Sequence, residues 1–215
     1  MEFSNIINFS LELIAVLLLA LGIKGLSKVR SAREANILAA FAMLISVVGL
    51  LLSNYLSETG IPDQSWMWII LGSLVGSLFG ALLAKRVPMT SMPETVALFN
   101  GFGGMSSLLV ALGVSLFPIS DPEGVLKLVT DISIAVSIFV GAITFSGSVI
   151  AFLKLQGIMS GAPITFKGQH VLNALILISI IVLTFYLCST QSSNLFWILI
   201  AVSFLIGFLI IIPIG

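Results

Sequence analysis

Histidine and cysteine are almost missing from this chain, with one of each in 215 residues. Cys188 alone can form no internal disulfide, and with His170 as its only imidazole company it can build no cysteine or histidine metal cluster. Charge is also scarce. Nine basic and nine acidic residues amount to 8% of the sequence and cancel, so no basic face is available for nucleic acid. No G-x-x-x-x-G-K-[ST] loop occurs. Gly101-Phe102-Gly103-Gly104 lacks the last glycine of a dinucleotide fingerprint and lies inside an apolar run, so no nucleotide site is expected within the chain. No nucleophile stands with a base and an orienting group, and no catalytic residue is expected.

What is present is apolar. The chain is 59% hydrophobic with a mean hydropathy of +1.22, more than a water-soluble core can hide. Each membrane span needs about 20 apolar residues, which leaves room for several spans and no separate soluble domain. Apolar runs fall near 4–24, 36–54, 66–84, 94–117, 131–153, 171–188 and 195–213. The expected fold is all-α: one polytopic transmembrane bundle over 1–215, with about seven spanning helices in a lipid bilayer. The first run is read as a span rather than a signal peptide, because Glu2 replaces a basic leader and no small-residue cleavage site precedes Lys24. The sixth run, at about 18 residues, still covers roughly 27 Å.

Cytoplasmic loops concentrate Lys and Arg, and the odd loops hold Lys24, Lys28, Arg30, Arg33, Lys85, Arg86, Lys154 and Lys167. Only Lys127 falls elsewhere. The N-terminus is therefore expected outside and the C-terminus in the cytoplasm. Trp66 and Trp68 suit the outer interface where the third span should emerge, and Pro62, Pro88, Pro118, Pro122 and Pro163 fall in or beside loops.

Several polar groups enter the apolar runs. Gly72, Gly76 and Gly80 form a small-residue ridge on the third span, which signals helix packing. On the fourth, Asn100, Gly103, Gly104, Ser107 and Ala111 follow i, i+3, i+4 spacing and share one face. Asn100 lies six residues past Glu94, roughly 9 Å along the axis, so its amide needs a partner or water. That face reads either as an interhelical hydrogen bond or as one wall of a water-lined proton path. Ser91 and Glu94 match an S-x-x-E capping box. On the fifth span Ser137, Gly141, Thr144 and Ser148 recur at helical spacing and could face the Asn100 stripe, or simply bond back to their own helix. Glu12 is the one carboxylate well inside a span, with Asn5 and Asn8 on its face, and it reads as a proton group or a wetted side chain near the outer end. His170, at the cytoplasmic start of the sixth span, reads as a solvated imidazole or a proton exchanger.

Three stretches resemble a known family. They are Gly25-Leu26-Ser27-Lys28, the segment Ala84-Lys85-Arg86-Val87-Pro88-Met89-Thr90-Ser91-Met92-Pro93-Glu94, and the run Gly141-Ala142-Ile143-Thr144-Phe145-Ser146-Gly147-Ser148-Val149-Ile150-Ala151-Phe152 followed by Lys154-Leu155. All are similar to the membrane part of the β subunit of proton-translocating NAD(P) transhydrogenase, and the likeness covers nearly the whole chain. The resemblance implies an enzyme complex that moves hydride between NAD(H) and NADP(H) while a proton crosses the membrane. It implies that NADP(H) sits on a Rossmann-like domain expected after residue 215, and NAD(H) on a partner α subunit, so no cofactor is bound by these helices. A second β subunit, giving a dimer of αβ units, and a bacterial inner membrane are implied as well.

Many members of that family carry a histidine where this chain has Asn100, which cannot titrate. Two options follow from the resemblance: Asn100 holds water in the path, or a titrating residue on an α-subunit helix carries the proton, and the two together are the preferred reading. It also places Ser148 in the same channel. The expected proton pathway is Asn100, Ser148, Gly104, Ser107, Thr144 and Glu12. Two other functions fit the same helices: a secondary transporter or channel for a small solute, though no internal repeat is evident, and a noncatalytic assembly subunit.

Overall fold

Small residues decide where helices of this chain touch. In a computed structural model that describes residues 2–26, 28, 30–56, 63–118, 123–190 and 193–214, the order is α1 (Glu2–Leu26), α2 (Ala32–Leu56), α3 (Asp63–Arg86), a 3₁₀ turn (Met89–Ser91), α4 (Met92–Leu116), α5 (Gly124–Leu155), α6 (Gln169–Thr190) and α7 (Ser193–Ile211). No strand occurs among the described residues. Six of these helices are long and apolar enough to cross a membrane, and α1 is itself 25 residues long. The chain is a polytopic, all-helical membrane protein.

The helices fall into two units, Met1–Leu83 and Ala84–Gly215. In the first, α1 and α2 form an antiparallel hairpin. A Cβ on Gly22 would stand 3.1 Å from both the Ala35 carbonyl and the Ala39 methyl, and one on Gly25 would stand 2.7 Å from the Ala35 Cβ. Ala15, Ala35 and Ala42 are buried in the seam. Without a hydrophobic force between helices in lipid, close backbone approach is what holds such a pair. Ser31 Oγ donates to the Gly25 carbonyl at 2.8 Å and closes the turn.

The glycine ridge of α3 behaves differently. A Cβ at Gly72, Gly76 or Gly80 would meet no atom within 4 Å, so the packing expected of that ridge is not satisfied inside the first unit. Trp66 is half-buried and Trp68 exposed.

In the second unit α5 is the central rod. Its 32 residues reach about 48 Å, well beyond the thickness of a hydrocarbon core. It starts at Gly124, seven residues before the apolar run, because Lys127 and Asp131 ride on its first turns instead of ending it. Ala135, Ile138, Ile180, Leu187, Leu199 and Ile206 form the core where α5, α6 and α7 meet. Phe145 of α5 and Phe204 of α7 pack edge to face at 5.9 Å. Gly207 lets α7 approach until the Ile143 carbonyl would lie 2.9 Å from an added Cβ.

The end of α5 is stopped by Gly157 at φ +71, with Met159 N–H donating to the Leu153 carbonyl at 3.0 Å, an arrangement that favours glycine. From that same end Lys154 Nζ reaches the Ile212 and Ile214 carbonyls at 2.6 and 2.5 Å. A cation on the exposed carbonyls at a helix C-terminus is a favourable pairing. Gln169, buried at the start of α6, donates to the Leu209 carbonyl at 3.0 Å.

One local expectation is corrected. Ser91 makes no side-chain cap on α4 and sits at φ −97, ψ 12. The preceding 3₁₀ turn holds it in that near-helical geometry, away from the extended backbone that aims a capping hydroxyl at the first amides. Its carbonyl instead accepts from Thr95 Oγ1 at 2.9 Å, and the Glu94 carboxylate accepts from Gln156 Nε2 at the end of α5.

Candidate functional site: the polar seam between α4 and α5

The face that α4 turns to α5 is made by Gly101, Gly104, Leu108 and Ala111, all buried. At Gly104 the helices come as close as backbone allows. A Cβ there would stand 2.7 Å from the Thr144 Cβ and 2.8 Å from the Gly141 carbonyl, while one on Gly141 would stand 2.6 Å from the Gly104 carbonyl. Gly103, expected on this face, points away and has nothing within 4 Å.

Asn100 stands at the rim of that contact. Its Nδ2 donates to Ser148 Oγ across the seam at 2.8 Å. Ser148 is buried and Thr144, one turn away, is half-buried, whereas the Asn100 side chain is largely uncovered by this chain. Beside the pair opens a groove of about 450 Å³, whose walls include Asn100, Thr144, Gly147, Ser148, Ala151 and Gly207. Its other side is a smaller cavity of about 140 Å³ walled by Leu98, Phe102, Phe145 and Val149. Both spaces are largely apolar, but only the larger one is lined by the Asn100 amide and the Thr144 hydroxyl as well as Ser148, so it is the one with polar partners for water.

Ser107 follows Asn100 at i+7 and stays on its face. It lines a second groove of about 490 Å³ with Ser106, Thr130, Ser133 and Ser137. On α5, Thr130, Ser137, Gly141 and Thr144 precede Ser148 by 18, 11, 7 and 4 residues, all near whole numbers of turns. The stripe from Thr130 to Ser148 is thus about 27 Å long, close to the thickness of a hydrocarbon core.

The structure thus brings Asn100, Ser148, Thr144 and Gly104 together, with Gly104 serving close approach and not presenting a polar group. Ser107 lies farther along the same stripe. Glu12 belongs to the first unit and is exposed there. The side chains of Asn5 and Asn8 lie outside the described residues, and His170 is exposed at the start of α6. Thr130, Ser133 and Ser106 were not singled out from sequence. Extending the Ser137-Gly141-Thr144-Ser148 spacing backward by one and two turns would have found the first two.

Chemically, an amide and a row of hydroxyls can order water and pass protons through hydrogen bonds, but none of them holds a proton near neutral pH. The described residues include no cluster of three or more His, Cys, Asp or Glu fit for a metal.

The family model described as NAD(P) transhydrogenase beta subunit matches residues 9–215 of the chain. A curated protein named NAD(P) transhydrogenase subunit beta, from Rhodospirillum rubrum, is 39% identical over 206 residues, covering 94% of this chain and 43% of that relative. Its counterpart from a defined strain of the same species gives the same figures. The chain spans less than half the length of these relatives.

Proposed function

The chain belongs to the NAD(P) transhydrogenase β-subunit family, and from that premise we propose that it is the membrane part through which a proton crosses as hydride passes between NAD(H) and NADP(H). Both nucleotides are held by other parts of the complex, the NAD(H) by an α subunit. The assembly is a dimer of αβ units in a bacterial inner membrane, with the start of α4, which follows Lys85 and Arg86, facing the cytoplasm, as the basic loops favour.

The observation that carries this reading is the Asn100–Ser148 hydrogen bond at 2.8 Å, set in a polar stripe whose length matches the hydrocarbon core. A purely structural interhelical bond needs one pair, whereas here hydroxyls continue along α5 to Thr130 and line a groove at each level. Buried polar groups in lipid are costly and collect where water or ions pass. Asn100 and Ser148 order water at the rim of the close contact, Gly104 and Gly141 set the spacing, and a titrating group contributed by the α subunit stores the proton. Nucleotide state and proton access are then reciprocally linked, so the gradient shifts nucleotide affinity as much as nucleotides shift proton access.

Membrane vesicles holding the complete complex test this directly. NADPH-dependent reduction of an NAD analogue should change rate when an uncoupler collapses the proton gradient. A rate indifferent to the uncoupler removes the coupling and with it the function proposed for the seam.

A further inference from the structure

We propose that the groove bounded by Ser106, Ser107, Thr130, Ser133 and Ser137 is a hydrated vestibule that admits small cations, hydronium among them, and rejects anions. The inference rests on the α4–α5 seam being the proton path and names what its far end accepts.

The walls decide the sign. Ser106 Oγ donates to the Gly103 carbonyl at 2.8 Å, Thr130 Oγ1 to the Leu126 carbonyl at 2.9 Å, and Ser133 Oγ to the Val129 carbonyl at 2.7 Å. A hydroxyl has one proton and two lone pairs. With the proton committed to its own helix, each oxygen can offer the groove only lone pairs. Backbone amides cannot compensate, because mid-helix N–H groups are already bonded along the helix. No Lys, Arg or His lines the groove, and the remaining wall is Val110, Ala111, Val114, Val129 and Ile134. A chloride or hydroxide ion would therefore find donors at most at Ser107 and Ser137, against acceptor lone pairs on all five hydroxyls, and would replace less of its lost hydration than a cation would. A water molecule or hydronium donates outward and finds acceptors on both helices. The groove of about 490 Å³ has room for a small cation together with water. Selection by acceptor dipoles on otherwise apolar walls is the means by which pores choose the sign of an ion without a fixed charge.

The test reads access chemically. In the complete complex in membrane vesicles, with Cys188→Ala removing the thiol of these helices and labelling read as the excess over that Cys188→Ala background, Ser137→Cys places a probe in the groove while leaving the three back-bonded hydroxyls intact. Its modification by 2-(trimethylammonium)ethyl methanethiosulfonate is compared with that by the anionic 2-sulfonatoethyl reagent, each rate divided by the rate with a small thiol in solution. The expected corrected ratio favours the cation by about tenfold or more. A ratio near one, a preference for the anion, or no modification by either reagent overturns the proposal, the last because the groove would be sealed dry. Ser107→Cys, on the opposite wall, repeats the measurement should Ser137→Cys fail to assemble. The labelling ratio is read without hydride transfer. A cation-selective ratio in a complex whose reduction ignores the uncoupler would therefore keep the vestibule and remove the proton path.

Discussion

Gly104→Ala adds one methyl group at the tightest point between α4 and α5. The new Cβ would lie 2.7 Å from the Thr144 Cβ, 2.8 Å from the Gly141 carbonyl oxygen and 2.9 Å from the Phe145 amide nitrogen. Two of those three neighbours are backbone and cannot rotate aside. Carbon atoms rest at about 3.5 Å or more, so relieving the 2.7 Å contact requires the helices to part by about 0.8 Å. Asn100 lies one turn away on the same helix. Were that displacement carried fully to it, the 2.8 Å bond to Ser148 would stretch to about 3.6 Å, past the range of a hydrogen bond. The methyl should therefore cost about 1–3 kcal/mol of stability, as overpacking typically does, and should depress proton-linked turnover more than it depresses yield of the folded complex. Thermal unfolding of the purified complex gives the first quantity, and uncoupler-responsive reduction of the NAD analogue gives the second. A Gly104→Ala complex with unchanged melting and unchanged coupled activity would refute the close-approach account of the seam.

Gly113→Ala on the same helix is the matched control: nothing lies within 4 Å of its Cβ, so stability should stay within about 0.5 kcal/mol of the parent or rise slightly. At the α5–α7 contact, Gly207→Ala should cost about 1–3 kcal/mol, because its Cβ would run into Ser146 Oγ and stand 2.9 Å from the Ile143 carbonyl. Adding Ser146→Ala should recover part of that loss, since it removes one of the two obstacles. A double-mutant cycle in thermal unfolding measures the coupling, and strict additivity would show that the two groups do not meet.

The bundle was readable because lipid demands long apolar helices, and the seven runs sit inside the seven observed helices to within a few residues at nearly every end. The exceptions have physical causes. Lys127 falls before the fifth apolar run, which begins at 131, yet α5 carries it as a helix that starts at Gly124 and extends past the apolar core. Asn100 and Ser148 were legible because a polar residue at helical spacing in an apolar run stands out. Which side of the stripe met α5 was not: spacing admitted Gly103, while the contact uses Gly101 and Gly104, since periodicity defines a face and only the neighbour's position selects its edge. The α1–α2 seam of Gly22, Gly25, Ala35 and Ala42 escaped notice because alanine in a membrane helix serves equally for lipid and for packing. The capping box at Ser91 and Glu94 failed because a 3₁₀ turn upstream had already set the serine's backbone.

The account turns on water held in the groove beside the directly bonded Asn100–Ser148 pair carrying the proton, and Asn100→Leu tests it most directly. Leucine matches asparagine in branching and in side-chain heavy-atom count but can neither bond Ser148 nor hold water. Proton uptake should be followed with a pH-sensitive dye, alongside hydride transfer, in vesicles reconstituted with the complete complex. Insertion and assembly should persist while proton uptake falls below about a tenth of the parent rate, a loss of about 1.4 kcal/mol or more in barrier terms. Proton uptake at the parent rate in that variant would leave the Asn100–Ser148 pair a packing contact and contradict the path.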